Sequence, residues 1–531
     1  MMSSSALTRR AFGALATGTA LAAAMPADAA ESNTFVTAFG LPMNLDPHQV
    51  FDVPMQAYML NAYDTLYRYE GDPPKIVPWL AESHTFSPDG LNWEFKLRPG
   101  AKFHDGSEVT AEDVVYSFQR VLALKQAPAG AFLPILKPEN VTAPDKLTVR
   151  FVLSQTYAPF FAAVPCISIV NPRQIKPNEK NGDWGRAWLA SNGAGSGAFR
   201  PLPASYRPLE SLDLEMFTDH FKGWADNEKP VAKIANRPTK ETSTRILALL
   251  NGSIDVTDTN LPADQVPQIN ASKIALVQKD TVMRIFVIRM NNTRPPFNNL
   301  NARRCFAHAF NYMGFIDDIL GGYATRDPYP MPNNLWGCPA DAKGYDYDMA
   351  KAKEYMAKAI AEGAPMKRPV ELHVQSENEQ SVQGAQLFQS DLATLGINLK
   401  IVGDIWSNLT ELARKPETTP DLWVHWVSTY FVDPENWVGQ MYDSQFHGTW
   451  KASCYYTNPQ VDALLRKARS TIAENARTPL YEAAIRQIMA DCPDIWVYNS
   501  MQLQGLNKRV KGRSFCTVGQ GQEVRWITLA A

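Results

Sequence analysis

Between Leu91 and Leu97 apolar and polar residues alternate, with Trp93, Phe95 and Leu97 separated by charged neighbours. That period of two predicts a half-buried strand. Pro99-Gly100 and Phe103-His104-Asp105-Gly106 then mark two turns. Thr110 is placed to cap a helix with Asp113 in the capping-box position, and Val114, Val115, Phe118, Val121 and Leu122 fall on one face of it. Further along, strands are predicted near Leu147 to Leu153, Arg284 to Met290, Val370 to Val374, Asn398 to Val402 and Leu422 to Val427. Helices are predicted at Thr242 to Leu250, Ala302 to Leu320, Tyr347 to Ala361 and Glu379 to Leu395, and after Asn458, where Pro459 occupies the first turn. Such alternation predicts a mixed α/β chain with more than one sheet. The alternate glycines of Gly193 to Gly197 lack the flanking strand and helix that a dinucleotide fingerprint needs, so they read as a tight turn.

The N-terminus changes the picture. Thr8-Arg9-Arg10-Ala11-Phe12, a weakly apolar run to Ala24 and Ala27-Asp28-Ala29 have the layout of a secretory signal over residues 1–29, and the paired arginines point to the twin-arginine route. No cysteine precedes Cys166 and no later stretch has the apolar length of a membrane span, so the expected product is free in the periplasm rather than anchored. The remaining part, about 500 residues, is long enough for roughly three domains or subdomains. A formal net charge of -2 gives no pull toward nucleic acid. The cysteines at 166, 305, 338, 454, 492 and 516 are too scattered for a zinc knuckle, while one or two disulfides are expected to be possible after export.

Catalytic motifs are missing: there is no phosphate-binding loop, His-Glu-x-x-His, Cys-x-x-Cys or Gly-x-Ser-x-Gly. No catalytic residue, metal ligand or cofactor is assigned. What the chain does carry is an aromatic concentration, Trp423, Trp426, Tyr430, Phe431, Trp437, Tyr442 and Trp450, interspersed with Asp421, Asp433 and Glu435. Such a mixture suits a pocket that sandwiches an organic ligand, and a loop at a strand's carboxyl end is where α/β folds bind one. Carboxylates beside aromatics also describe a glycosidase cleft, which keeps a periplasmic hydrolase open. His425 and His447 flank the same region and keep a metal-binding alternative open.

The run from Trp93 to Gly106, with Val109 to Phe118, resembles the signature of the family 5 extracellular solute-binding proteins, of oligopeptide, dipeptide and nickel-binding type. Gly195-Ser196-Gly197-Ala198-Phe199, Leu249 to Asp255, and Asn291 to Phe310 with Pro295-Pro296-Phe297 resemble further family motifs in the same order. The resemblance implies a two-lobed periplasmic-binding-protein fold with a hinge. Residues 30–285 would form the first lobe with an extra subdomain at 76–192, residues 286–499 the second lobe, and residues 500–531 a segment returning to the first. It also implies capture of a peptide or peptide-like molecule for the permease subunits of an ABC importer by a monomer, with nickel, metal-chelate or sugar-conjugate binding as the alternative. The residues expected to line the ligand are Arg289, Asn291, Trp426, Ser428, Tyr430, Phe431 and Trp450. Where peptide-binding relatives place an aspartate, three residues before the acid-Pro pair, this chain has Tyr430. A solute without a free amino terminus is therefore expected, unless Asp421 or Glu435 replaces the missing charge.

Overall fold

The structure, a computed structural model, describes residues 33–530 apart from 51, 377, 519 and 520. The expected export signal lies outside the described residues.

Three sheets organise the chain. The first runs Thr34–Thr37, Lys233–Asn236, Ser211–Met216, Phe199–Arg207, with only its first pair parallel. A second, antiparallel sheet holds Ala81–Phe86, Asn92–Leu97, Thr148–Val152 and Val141–Asp145. Trp93, Phe95 and Leu97 point inward from it onto the helix Ala111–Leu124, whose start is fixed by the Thr110 N–H donating to the Asp113 carboxylate at 2.8 Å. The third sheet has six strands in the order Ala324–Arg326, Asp494–Asn507, Ala275–Met290, Leu422–Ser428, Val370–Gln375, Leu399–Asp404.

Two strands of that third sheet are much longer than the rest. Ala275–Met290 and Asp494–Asn507 pair antiparallel from Ala275↔Asn507 to Arg289↔Asp494, with a register shift between Thr281 and Ile285. On one side of the shift, Ala275, Val277 and Leu503 pack with Ile246, Leu249 and Leu261. On the other, Phe286, Ile288, Met290, Ile495 and Val497 join a separate core with the helices Leu300–Ala309 and Glu379–Ala393. A second shift follows between Phe286 and Val287; a bulge bends and twists a strand locally, so this ribbon connects two cores through an irregular stretch.

The Phe103 to Gly106 turn is a clamp. Its His104 contacts the Gly197 carbonyl through Nε2 at 2.9 Å, and the His104 N–H donates to the Gly195 carbonyl at 3.0 Å. A side chain at Gly195 would strike the Ala62 carbonyl oxygen at 2.0 Å, so the tight turn there needs glycine to let two backbones meet.

Two readings need correction. The helix expected over Ala302 to Leu320 ends at Ala309 and gives way to a π-helical turn, Gly314–Ile319. Asn311 interrupts it: its side chain accepts from the Gly314 N–H at 2.9 Å while its own N–H is taken by Asp391 at 3.2 Å. The possible disulfides are not formed, since all six cysteines are free thiols.

The extra sheet's helix is tied back by a buried ion pair. Arg120 donates from Nη1 and Nη2 to the two carboxylate oxygens of Asp46 at 2.8 and 2.6 Å, with both side chains wholly buried. Burial alone would raise the Asp46 carboxyl, but the hydrogen bonds and charge of Arg120 outweigh it and hold it below its ordinary value. Asp46→Ala is expected to cost about 3–5 kcal/mol in urea unfolding at neutral pH, because Arg120 is left buried alone. The contribution is present above the ordinary carboxylate range and lost as pH falls through the lowered value, so the two proteins should converge in acid.

Candidate functional site

Leu422–Ser428 lies inside the six-stranded sheet, with Leu422 through Val427 all buried. Register places Trp426 opposite Phe286 and Ser428 opposite Arg284. The Trp426 indole meets the Phe286 ring edge-on at 4.9 Å and donates from Nε1 to the Tyr498 hydroxyl at 3.1 Å. The Arg284 guanidinium lies over the same indole, 4.9 Å from its centre. Arg284, Trp426 and Tyr498 form one wall of a cleft of about 720 Å³. Residues 258–265, on the far side of the bulge, face them, with the start of the helix Glu379–Ala393 at the rim.

Past the strand's end the chain turns into a second cavity of about 110 Å³, where Thr429 and Tyr430 meet Asp64, Arg68, Trp79, His220 and Arg525. Its charges are already partnered. Asp64 accepts from Trp79 Nε1 at 2.6 Å and Ser196 Oγ at 2.7 Å, Arg68 pairs with Glu523 at 2.7 Å, and Arg525 with Asp226 at 2.7 Å. The run Trp426–Tyr430 therefore lines both cavities in turn.

Residues 75–448 match the bacterial extracellular solute-binding proteins, family 5 middle. The chain belongs to this family. A probable D,D-dipeptide-binding periplasmic protein of Escherichia coli (strain K12) is 32% identical over 482 residues, 89% of this chain and 90% of that protein. Di/tripeptide-binding protein 1 of Pseudomonas aeruginosa is 28% identical over 531 residues, 93% of each chain. Among solved structures, the ABC transporter-associated periplasmic binding protein of Helicobacter pylori in complex with peptide STSA superposes at a TM-score of 0.82 with 26% identity, covering 94% of this chain and 98% of that one.

Within this family 5 protein the sequence-predicted residues separate into two groups. Trp426 and Tyr430 reach the cavities. Ser428 sits between them, its carbonyl accepting from the Asn436 amide at 3.1 Å. The others are engaged elsewhere. Phe431 is 2% exposed and is packed into the core of the antiparallel sheet's subdomain, where it anchors the loop. Arg289 is fully buried with its donors directed to His425 Nε2 at 3.1 Å, Asp494 at 2.5 Å and the Lys451 carbonyl at 2.7 Å. Asn291 closes a turn by donating to the Pro416 and Thr419 carbonyls at 2.9 and 3.2 Å. Trp450 stacks edge-on against Trp406 and His425 at 5.2 and 5.4 Å.

The two carboxylates offered as substitutes for the missing aspartate are also occupied: Asp421 pairs with Arg368 at 2.7 Å and Glu435 with Arg469 at 2.9 Å. Asp433 is held by Arg477 at 2.7 Å. His447 contacts the Tyr456 carbonyl at 2.9 Å, and no group of three or more metal-ligating residues occurs among the described residues.

Two residues that motif reading missed complete the site. Asp52 caps the helix Val53–Ala62, accepting from the Met55 N–H at 2.9 Å, and no described cation pairs with it. Partial loss of hydration raises its carboxyl, although the residue stays exposed at the surface. It lies near enough to Tyr430 that, after burial itself, its charge is what most raises the Tyr430 hydroxyl, while Arg284 acts in the opposite sense. Tyr430 thus feels both a carboxylate and a guanidinium. Nothing in the pattern around Asp52 marks it beyond an ordinary helix cap, and Arg284 reads only as one polar position in a strand.

Behind Tyr430 lies Lys451, whose ammonium sits 4.6 Å from that ring's centre and donates to the Asn436 carbonyl, the Asn436 side chain and Gln440 at 2.9, 3.0 and 2.6 Å. All three acceptors are neutral, and burial pushes the amine down to about 7. Above that value the folded protein releases a proton that the unfolded chain keeps until about 10.4, so stability should rise with pH across this window. Melting temperatures measured from pH 6.5 to 10 should show the rise, and Lys451→Met should flatten it relative to the parent.

Proposed function

We propose that this protein is the periplasmic solute-binding component of an ABC importer, a monomer that closes two lobes on a small peptide-like molecule and hands it to the permease without chemical turnover. In this reading residues up to 285, with the 76–192 subdomain and the returning segment 500–531, form one lobe, and residues 286–499 the other. The bulge in the long ribbon is the hinge. A solute touching both walls of the cleft binds the closed form better than the open one, and that difference drives closure. Family membership and the peptide-binding names of the relatives support the solute class.

The observation that carries the reading is the carboxylate of Asp52, without an ion-pair partner among the described residues and near enough to act on Tyr430, which lines the smaller cavity. It revises the expectation of an amine-free solute. Tyr430 brings no charge, yet Asp52 supplies one nearby, so a free ammonium group is met after all.

The test is calorimetric titration of protein freed of bound solute with D-alanyl-D-alanine, L-alanyl-L-alanine and their N-acetyl forms, with mass analysis of the peptides afterwards. Binding is expected at one peptide per chain, with no cleavage. Acetylation should weaken it about 10-fold or more, as loss of a charge-assisted hydrogen bond does, and Asp52→Asn, which still caps the helix, should abolish that discrimination. Cleaved peptide, or equal affinity for acetylated and free forms, contradicts the reading.

A further inference from the structure

Arg284 is the cation of the cleft for which the fold provides no counter-ion. Its side-chain hydrogen bond is a long one, from Nη1 to Asn260 Oδ1 at 3.4 Å, and its Nε, although buried, has no partner. No carboxylate among the described residues forms an ion pair with it. The other arginine of the cleft differs: Arg245 pairs with Asp258 at 3.3 Å. Lys240 stands at the exposed rim, where water solvates it. In the smaller cavity Arg68 and Arg525 each hold an acid. A guanidinium that is half-buried, seated on an indole and short of acceptors is costly to keep unless something else supplies them. Burial lowers its affinity for its proton, which only the nearby tyrosines oppose.

We propose that Arg284 is the anion-recognising residue of this protein: the captured solute presents a carboxylate to its guanidinium, with the solute's body lying along Trp426 and Tyr498. This rests on the cleft being the solute site, as argued above. Together with Asp52, whose charge also acts on Tyr430, it makes the preferred solute a zwitterion, with ammonium toward Asp52 and carboxylate toward Arg284. The bond is electrostatic and hydrogen-bonded only. Arginine presents paired donors in a fixed plane that matches a carboxylate edge to edge, which a lysine cannot reproduce.

The probe pair is D-alanyl-D-alanine and its C-terminal amide, titrated against the parent protein, Arg284→Gln and Arg284→Lys, each first shown to melt cooperatively. The free acid should bind about 10- to 100-fold tighter than the amide to the parent. Arg284→Gln should bring the two together by weakening the acid, and Arg284→Lys should restore part of the difference. Equal binding of acid and amide by the parent, or a preference that survives in Arg284→Gln, overturns the assignment. If neither dipeptide form binds, the solute released from natively purified protein decides by mass spectrometry. A non-peptide anion retained by the parent and lost from Arg284→Gln would sink the peptide reading but uphold Arg284. A neutral solute, or none from either protein, would overturn Arg284 as well.

Discussion

The structure depends on one antiparallel ribbon. Ala275–Met290 and Asp494–Asn507 run side by side through two separate hydrophobic cores, and the register slips between Thr281 and Ile285 and again between Phe286 and Val287. Backbone hydrogen bonds hold the ribbon on both sides of these slips, so each core is stiff where it grips the strands. The irregular step between them is where bending disturbs the fewest ladder contacts. Arg284 and Tyr498 lie beside that step, and Trp426 reaches the same place from the neighbouring strand. One wall of the cleft is thus built on the ribbon and its neighbouring strand beside the irregular step.

Charge is distributed in keeping with that arrangement. Most carboxylates of the aromatic loop are spent on arginines behind it: Asp421 on Arg368, Asp433 on Arg477, Glu435 on Arg469. These pairs fix the loop's shape. Tyr430 lines one cavity and Arg284 the other, and the charges of Asp52 and Arg284 act on Tyr430 in opposite senses; neither has an ion-pair partner among the described residues.

Much of the fold was legible in the sequence because it is local. The alternation at Trp93, Phe95 and Leu97, the cap at Asn458 with Pro459, and the helix over Thr242–Leu250 all follow from residue spacing and side-chain chemistry within a few positions. The break at Asn311 was hidden because it depends on Asp391, distant in sequence. The ribbon's first half was missed because Gln278 to Thr281 reads as polar loop until Met501 to Gln504 pair with it. The site divided in the same way. Trp426 and Tyr430 were visible as aromatics at a strand's end. Arg289, Asn291 and Phe431 looked equally suitable, and only the fold reveals that Asp494, Thr419 and the second sheet's core had already engaged them.

The central claim is that solute binding closes the two lobes about the bulged ribbon, and small-angle X-ray scattering of the unmodified protein tests it most directly. Protein stripped of solute should give a larger radius of gyration than the same sample saturated with the solute recovered from it, with occupancy verified by titration. Superimposable curves at proven saturation would contradict the account, because a cleft that binds without closing has no hinge to drive.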